Sequence, residues 1–111
     1  TLDACLTSQF EQQARVAAGL PLGSAKLFSP AIMLNVLGNI WSPSSDSDAR
    51  LGKEPNWTEV LMVPNTKIYL YNKHPVEYGR KMGHITIVAD TIDQVRDSAR
   101  RVAGILGISV P

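Results

Sequence analysis

The segment from Thr91 to Gly107 constrains this chain most. Ile92, Val95, Ala99, Val102, Ala103 and Leu106 recur there at spacings of three and four and mark one face of a helix. Thr91 followed by Gln94 forms a capping box at its start, and Gly107 closes its end. Arg96, Arg100 and Arg101 take the outer face. A helix with one apolar stripe must lay that stripe on another element. The preceding segments supply a sheet. Lys67 to Lys73 alternates Ile68, Leu70 and Asn72 with Tyr69, Tyr71 and Lys73, which is a period-two strand signal with the tyrosines on one side. Met82 to Ala89 gives a second strand, running through His84-Ile85-Thr86-Ile87-Val88. The connection between them is centred on Gly79, so the pair reads as an antiparallel hairpin with a long tip.

Residues 1–18 read as an amphipathic helix, because Leu2, Cys5, Leu6, Phe10, Ala14 and Ala17 fall at helical spacing. Cys5, on the apolar face, is expected to be buried and inert. Gly19 stops this helix, and Leu20-Pro21-Leu22-Gly23 is a connector. Ala31 to Leu37, bounded by Pro30 and Gly38, reads as a strand buried on both faces. Ser42 to Pro55 lacks apolar residues to bury over most of its length and is expected to be a surface loop. Asn56 with Glu59 opens a short helix that Pro64 ends. The order is helix, strand, short helix, two strands, helix. It predicts an α+β unit, a small antiparallel sheet with flanking helices, with too few strands for a barrel.

Composition narrows the function classes. With 111 residues and 44% apolar side chains, the chain suits one small soluble domain with little room for a private cleft. Lys and Arg total 11 against 10 Asp and Glu, which excludes a globally basic nucleic-acid binder and an acidic tail protein. The single Cys5 leaves no disulfide framework and suits a reducing, cytoplasmic setting. No apolar stretch approaches the ~20 residues of a membrane span. The first residue is Thr1 rather than Met, so the chain is expected to be a piece of something longer.

No nucleophile-elbow, phosphate-loop, zinc-ligand or dinucleotide motif is present. No catalytic residue and no metal ligand is assigned. Positive charge is uneven, however. Lys67, Lys73, Arg80 and Lys81, with His74 and His84, face the single acid Glu77 within one hairpin. Lys73 and Arg80 flank its connection, where an ammonium and a guanidinium fork can converge on one phosphate or carboxylate. From composition alone a solvated cationic loop is the plainer reading. His84 reads as a hydrogen-bonded structural residue and His74 as an exposed one. Asn56-Trp57-Thr58 is formally a glycosylation acceptor, but the same residues make the helix cap. Trp41 and Trp57 are expected to pack in the core or under the loop.

Five blocks carry a resemblance. Thr1-Leu2-Asp3-Ala4-Cys5-Leu6-Thr7-Ser8-Gln9-Phe10-Glu11-Gln12, Gly19-Leu20-Pro21-Leu22-Gly23, Ile32-Met33-Leu34-Asn35-Val36-Leu37-Gly38, Tyr71-Asn72-Lys73 and Gly79-Arg80-Lys81-Met82-Gly83-His84 follow one another in the order and spacing of a known family. In them the chain resembles the carboxy-terminal portion of 5-(carboxyamino)imidazole ribonucleotide synthases. The last block is the most specific.

The resemblance implies an ATP-grasp ligase of purine synthesis that uses ATP to carboxylate aminoimidazole ribonucleotide with bicarbonate. It implies ATP and magnesium in the full-length parent and neither on this chain alone. It also implies a homodimeric parent, and no nucleic-acid or membrane partner. Residues 1–28 would be the tail helix and connector of the ATP-grasp domain, and 29–111 the small carboxy-terminal domain, rudimentary single-hybrid-like. Lys73 and Arg80 align with family residues that reach toward bicarbonate and the ribonucleotide 5′-phosphate, with Lys81 as their neighbour. Tyr69 stands where the family usually has His, Glu77 where it often has Arg, and Asn72 where it has Gly or Asp. An acid at Glu77 repels a phosphate unless it turns outward. Two other readings stand beside this one: an independent interaction module with a cationic hairpin, and a piece of a fused carboxylase and mutase.

Overall fold

The computed structural model describes residues 1–41, 54–72 and 79–109. The serine-rich stretch 42–53 and the hairpin tip with Lys73, His74 and Glu77 lie outside the described residues.

Helix α3 (Ile92–Leu106) forms as its caps predict. Thr91 Oγ1 accepts from the Gln94 amide at 3.2 Å, and Gly107, at φ 71°, closes the helix in the left-handed region. Val95, Ala99, Val102, Ala103 and Leu106 are buried. Ile92, expected on this face, is exposed, because the buried stripe begins only at Val95, one turn in.

That stripe covers a three-stranded antiparallel sheet of β1 (Ala31–Leu37), β2 (Thr66–Leu70) and β3 (Lys81–Val88), in the order β1-β3-β2. The expected hairpin is present, with Tyr69 opposite His84 and Ile68 opposite Ile85. On the other edge of β3, Leu34 lies opposite Ile85 and Asn35 opposite His84. Ile85 and Ile87 are fully buried at the sheet centre, and each contributes about 1.5–3 kcal/mol through the area it hides from water. Leu34, Val36, Val60, Val63 and Met82 complete the core with the stripe of α3.

The short helix α2 (Trp57–Leu61) starts as predicted. Asn56 Oδ1 accepts from the Glu59 amide and Asn56 Nδ2 donates to Glu59 Oε2, both at 3.1 Å. Beside it Trp41 and Trp57 meet edge to face, centroids 5.9 Å apart, partly buried against the core. Their indole N–H groups both donate to the Glu54 carboxylate, at 2.8 and 2.9 Å.

Three expectations need correction. β1 is not buried on both faces: Leu34 and Val36 point into the core while Ala31, Met33 and Asn35 are exposed. Helices α2 and α3 pack on one side of this antiparallel sheet, while the amino-terminal segment leaves a cleft on the other, so its strands alternate. Second, the first helix is shorter than residues 1–18. Helix α1 (Gln9–Ala17) begins after Ser8, whose Oγ accepts from the Glu11 amide at 3.1 Å. A serine hydroxyl satisfies an orphan helical amide well and serves a helix interior poorly. Upstream, residues 2–4 form a turn that the Cys5 amide closes on Thr1 O at 3.2 Å, and the chain then bridges residues 26–28, with the Leu6 amide donating to Lys26 O and the Phe28 amide to Ala4 O, each at 2.8 Å. Third, Cys5 lies opposite Leu27 in that bridge and is half-buried, not buried on a helical face.

The end of α1 is as expected. Gly19 takes φ 70°, and the Gly19 and Leu20 amides donate back to Val16 O and Arg15 O. The connector folds back on α1 through Gln12, whose side chain donates to Gly23 O at 2.8 Å and accepts from the Gly23 amide at 2.9 Å.

Candidate ligand-binding site

With Ile68 turned to the core, the alternation of β2 places Lys67 and Tyr69 on the opposite face. The register sets Tyr69 across from His84 of β3, and the two rings stack with centroids 4.7 Å apart and planes at 24°. Just past β2, Tyr71 Oη lies 2.6 Å from His84 Nδ1. With the ring neutral and its proton on Nε2, the phenol donates to Nδ1.

A register shift brings in Lys81. Val36 pairs with Gly83 but Leu37 pairs with Lys81, so Met82 is an extra residue on β3. Met82 and Gly83 are consecutively buried as a result, and Lys81 faces the same side as His84 although they are three residues apart. Gly83 itself must lack a side chain, since a Cβ there would run into the Tyr69 carbonyl of the neighbouring strand.

These residues form one wall of a cleft of about 660 Å³. Tyr71, Lys81, His84 and Thr86 lie on the strand side with Met33, and Thr1, Leu2, Gln9 and Phe10 face them from the amino-terminal segment. One residue of that segment is anchored firmly. The Asp3 carboxylate accepts from Lys67 Nζ at 2.7 Å and from Tyr69 Oη at 2.8 Å.

The charges respond to this arrangement. Burial pushes the Asp3 carboxyl up, but the hydrogen bonds from Lys67 and Tyr69 and the lysine charge outweigh it and leave it below the ordinary carboxylate range. Lys67 is raised by its hydrogen bond to Asp3 and by the carboxylate charge. Tyr69 is raised by burial first and then by the same carboxylate. His84 is lowered by burial and then by the nearby Lys81, with Asp3 opposing. The cleft therefore offers a cation, a neutral imidazole and a phenol over an apolar floor. That set can bind an anionic or polar ligand.

Of the residues singled out from the sequence, Lys81 lines the cleft. Arg80 directly precedes it and is half-buried, with its carbonyl accepting from the Gly38 amide at 2.8 Å. Gly79, at φ 77°, donates its amide to the Asn39 side chain, so the exit of the hairpin connection is tied to the 3-10 turn Gly38–Ile40. Lys73 lies outside the described residues. His84 is hydrogen-bonded, as expected. Asp3 is the residue that sequence reasoning missed. Its partners are 64 and 66 residues away, and only the shared face of Lys67 and Tyr69 hints that something anionic meets them.

Among the described residues no three His, Cys, Asp or Glu side chains group to hold a metal ion, and no helix is long and apolar enough to cross a membrane.

Comparison with known proteins follows the same lines. The chain is 40% identical over 94 residues to the N5-carboxyaminoimidazole ribonucleotide synthase of Bacillus subtilis, covering 85% of this chain and 22% of that protein. It spans about a fifth of the length of the curated relatives it matches. The N5-carboxyaminoimidazole ribonucleotide synthetase structure from Thermus thermophilus superposes with a TM-score of 0.78 at 31% identity, over 100% of this chain and 26% of that one. An Aspergillus clavatus N5-carboxyaminoimidazole synthase, solved with ADP and 5-aminoimidazole ribonucleotide, gives 0.72 at 28% identity over 96% of this chain and 27% of that one. The model of the phosphoribosylaminoimidazole carboxylase C-terminal domain matches residues 31–98, from the first residue of β1 into α3. That match takes in the whole sheet and the register shift that turns Lys81 into the cleft, and it places the chain in the phosphoribosylaminoimidazole carboxylase C-terminal domain family.

Proposed function

We propose that this chain is the carboxy-terminal part of an ATP-dependent ligase that carboxylates 5-aminoimidazole ribonucleotide with bicarbonate in purine synthesis. The observation that carries this reading is the family match, together with relatives named for that product and a neighbour solved with ADP and the ribonucleotide. In this reading residues 1–28 are the tail of the ATP-grasp domain and 29–111 the small domain. The absence of buried side chains in α1 supports that division.

The part played by this chain is recognition. A phosphate dianion is best held by a guanidinium fork with a point cation beside it, and Arg80 with Lys73 supplies that pair, with Lys81 as neighbour. Holding the ribonucleotide by its phosphate fixes the exocyclic amine for attack without adding a reacting group. In this proposal ATP and its magnesium are held by the remainder of the ligase, and the neighbours solved with ADP or ATP support the nucleotide. A homodimeric, cytoplasmic parent completes the proposal.

The test is ATP hydrolysis stimulated by aminoimidazole ribonucleotide and bicarbonate. The intact ligase is expected to show it and the 111 residues alone to show none. Turnover by the chain alone would overturn the assignment of ATP chemistry to the rest of the protein. An intact parent indifferent to the ribonucleotide would overturn the substrate.

A further inference from the structure

Asp3 has a setting that the binding reading leaves unexplained. Its side chain is only 7% exposed, and each carboxylate oxygen receives one donor from β2: Lys67 Nζ at 2.7 Å and Tyr69 Oη at 2.8 Å. The Tyr69 ring stacks on His84, and His84 meets the Tyr71 hydroxyl. Thr1, Leu2 and Ala4, the neighbours of Asp3, line the cleft opposite Lys81 and His84.

We propose that Asp3 is a positioning residue: through Lys67 and Tyr69 its carboxylate sets the amino-terminal wall of the cleft against the strand face that carries His84 and Lys81. The identity of the ligand so positioned rests on the ligase reading above. Stability alone does not account for this arrangement. Lys67 remains 61% exposed, and ion pairs with a solvated partner contribute little. Burying the carboxylate carries a desolvation cost, and an apolar contact at the same place would hold the segment as well. A two-donor carboxylate adds direction, since each oxygen accepts along a defined line from a different side chain. Tyr69 then passes that placement to His84 by ring contact.

Two measurements test this. The first needs no substrate: hydrogen exchange of the chain with Asp3→Asn, which keeps the shape and removes the charge. Faster exchange of amides in residues 79–86 with α3 unchanged is the expected result. Equal acceleration in α3 would show general destabilisation and overturn the proposal, as would no change at all. The second uses the intact ligase. Asp3→Asn should raise KM for aminoimidazole ribonucleotide roughly tenfold while KM for ATP stays the same, and Asp3→Glu should recover part of the loss. An unchanged ribonucleotide KM, or equal losses for both substrates, would overturn the positioning role. Should the parent show no dependence on the ribonucleotide, the ligase reading fails, and the exchange pattern still decides the role of Asp3.

Discussion

The Tyr69 ring lies across the His84 imidazole at a centroid distance of 4.7 Å, while Tyr71 Oη meets the Nδ1 atom of the same imidazole at 2.6 Å. One side chain of β3 is thus held by two tyrosines that flank a single residue of the partner segment. The hold favours the neutral imidazole, because the stacked ring removes water from one face and Lys81 adds positive charge nearby.

The pH dependence of stability follows from that preference. His84 is held below its ordinary 6.5, so as the pH falls beneath that value the unfolded chain binds a proton that the folded chain refuses. The stability is fully present above 6.5 and is lost as the pH drops through the lower folded value. Urea midpoints measured at successively lower pH should fall, and His84→Gln should remove that part of the slope. Asp3 adds a separate loss in more acid solution, below 3.8, since its folded value is also lowered and its hydrogen bonds need the ionised form. A midpoint that stays constant from neutral pH to well below 6.5 would contradict the account of His84.

Gly83→Ala tests the close approach of β2 and β3. The added methyl meets the Tyr69 carbonyl, which belongs to a strand and cannot swing aside. The cost is expected at about 1–3 kcal/mol, the range for overfilling a packed interior. The shift in the urea midpoint at unchanged slope measures it.

On the proposed function, Arg80→Ala in the intact parent should raise KM for aminoimidazole ribonucleotide roughly tenfold or more and leave KM for ATP unchanged. Lys81→Ala should do the same to a smaller extent, because a lysine supplies charge without the two-pronged geometry. Steady-state kinetics with each substrate varied in turn separates the effects. Equal losses for both substrates would remove Arg80 from the phosphate site.

Glu54→Ala should be visible by fluorescence. The chain has two tryptophans, and Glu54 accepts from the indole N–H of each. Without the carboxylate both donors turn to water, so emission should move to longer wavelength, with a stability loss of about 1 kcal/mol. Unchanged emission would mean that the two rings are held by their mutual contact alone.

The parts of this fold that were legible in the sequence are those whose signals are local. Thr91, Gln94 and Gly107 bracket α3 within its own length, and the alternation from Lys67 onward assigns Ile68 and Tyr69 to opposite faces without reference to any distant residue. Where two local signals competed, the sequence misled. Leu2, Cys5 and Leu6 sit at helical spacing, yet the hydroxyl of Ser8 starts the helix later, and the residues ahead of it make a turn and find backbone partners near Leu27. Met33 sits in an apolar run that resembles a strand covered on both sides, and nothing within the run tells that its face borders a cleft rather than the core. For the site, the cations of the hairpin were visible as a charge cluster. The turning of Lys81 toward His84 depends on a register shift against β1, which pattern within one strand does not encode. Asp3 carried no signal because its partners are 64 and 66 residues away.

The strand order has a consequence for how the molecule is made. β1 and β2 each hydrogen-bond to β3 and lie on opposite edges of it. As the chain leaves a ribosome, β1 emerges first and has no partner until residues 81–88 follow. Pairing β1 with β3 spans the separation from Gly38 to Arg80, at an entropy cost that the neighbouring β2–β3 hairpin does not incur. Until then the edge of β1, with Leu34 and Val36 not yet buried, offers unpaired backbone groups and apolar side chains of the kind that attract another strand.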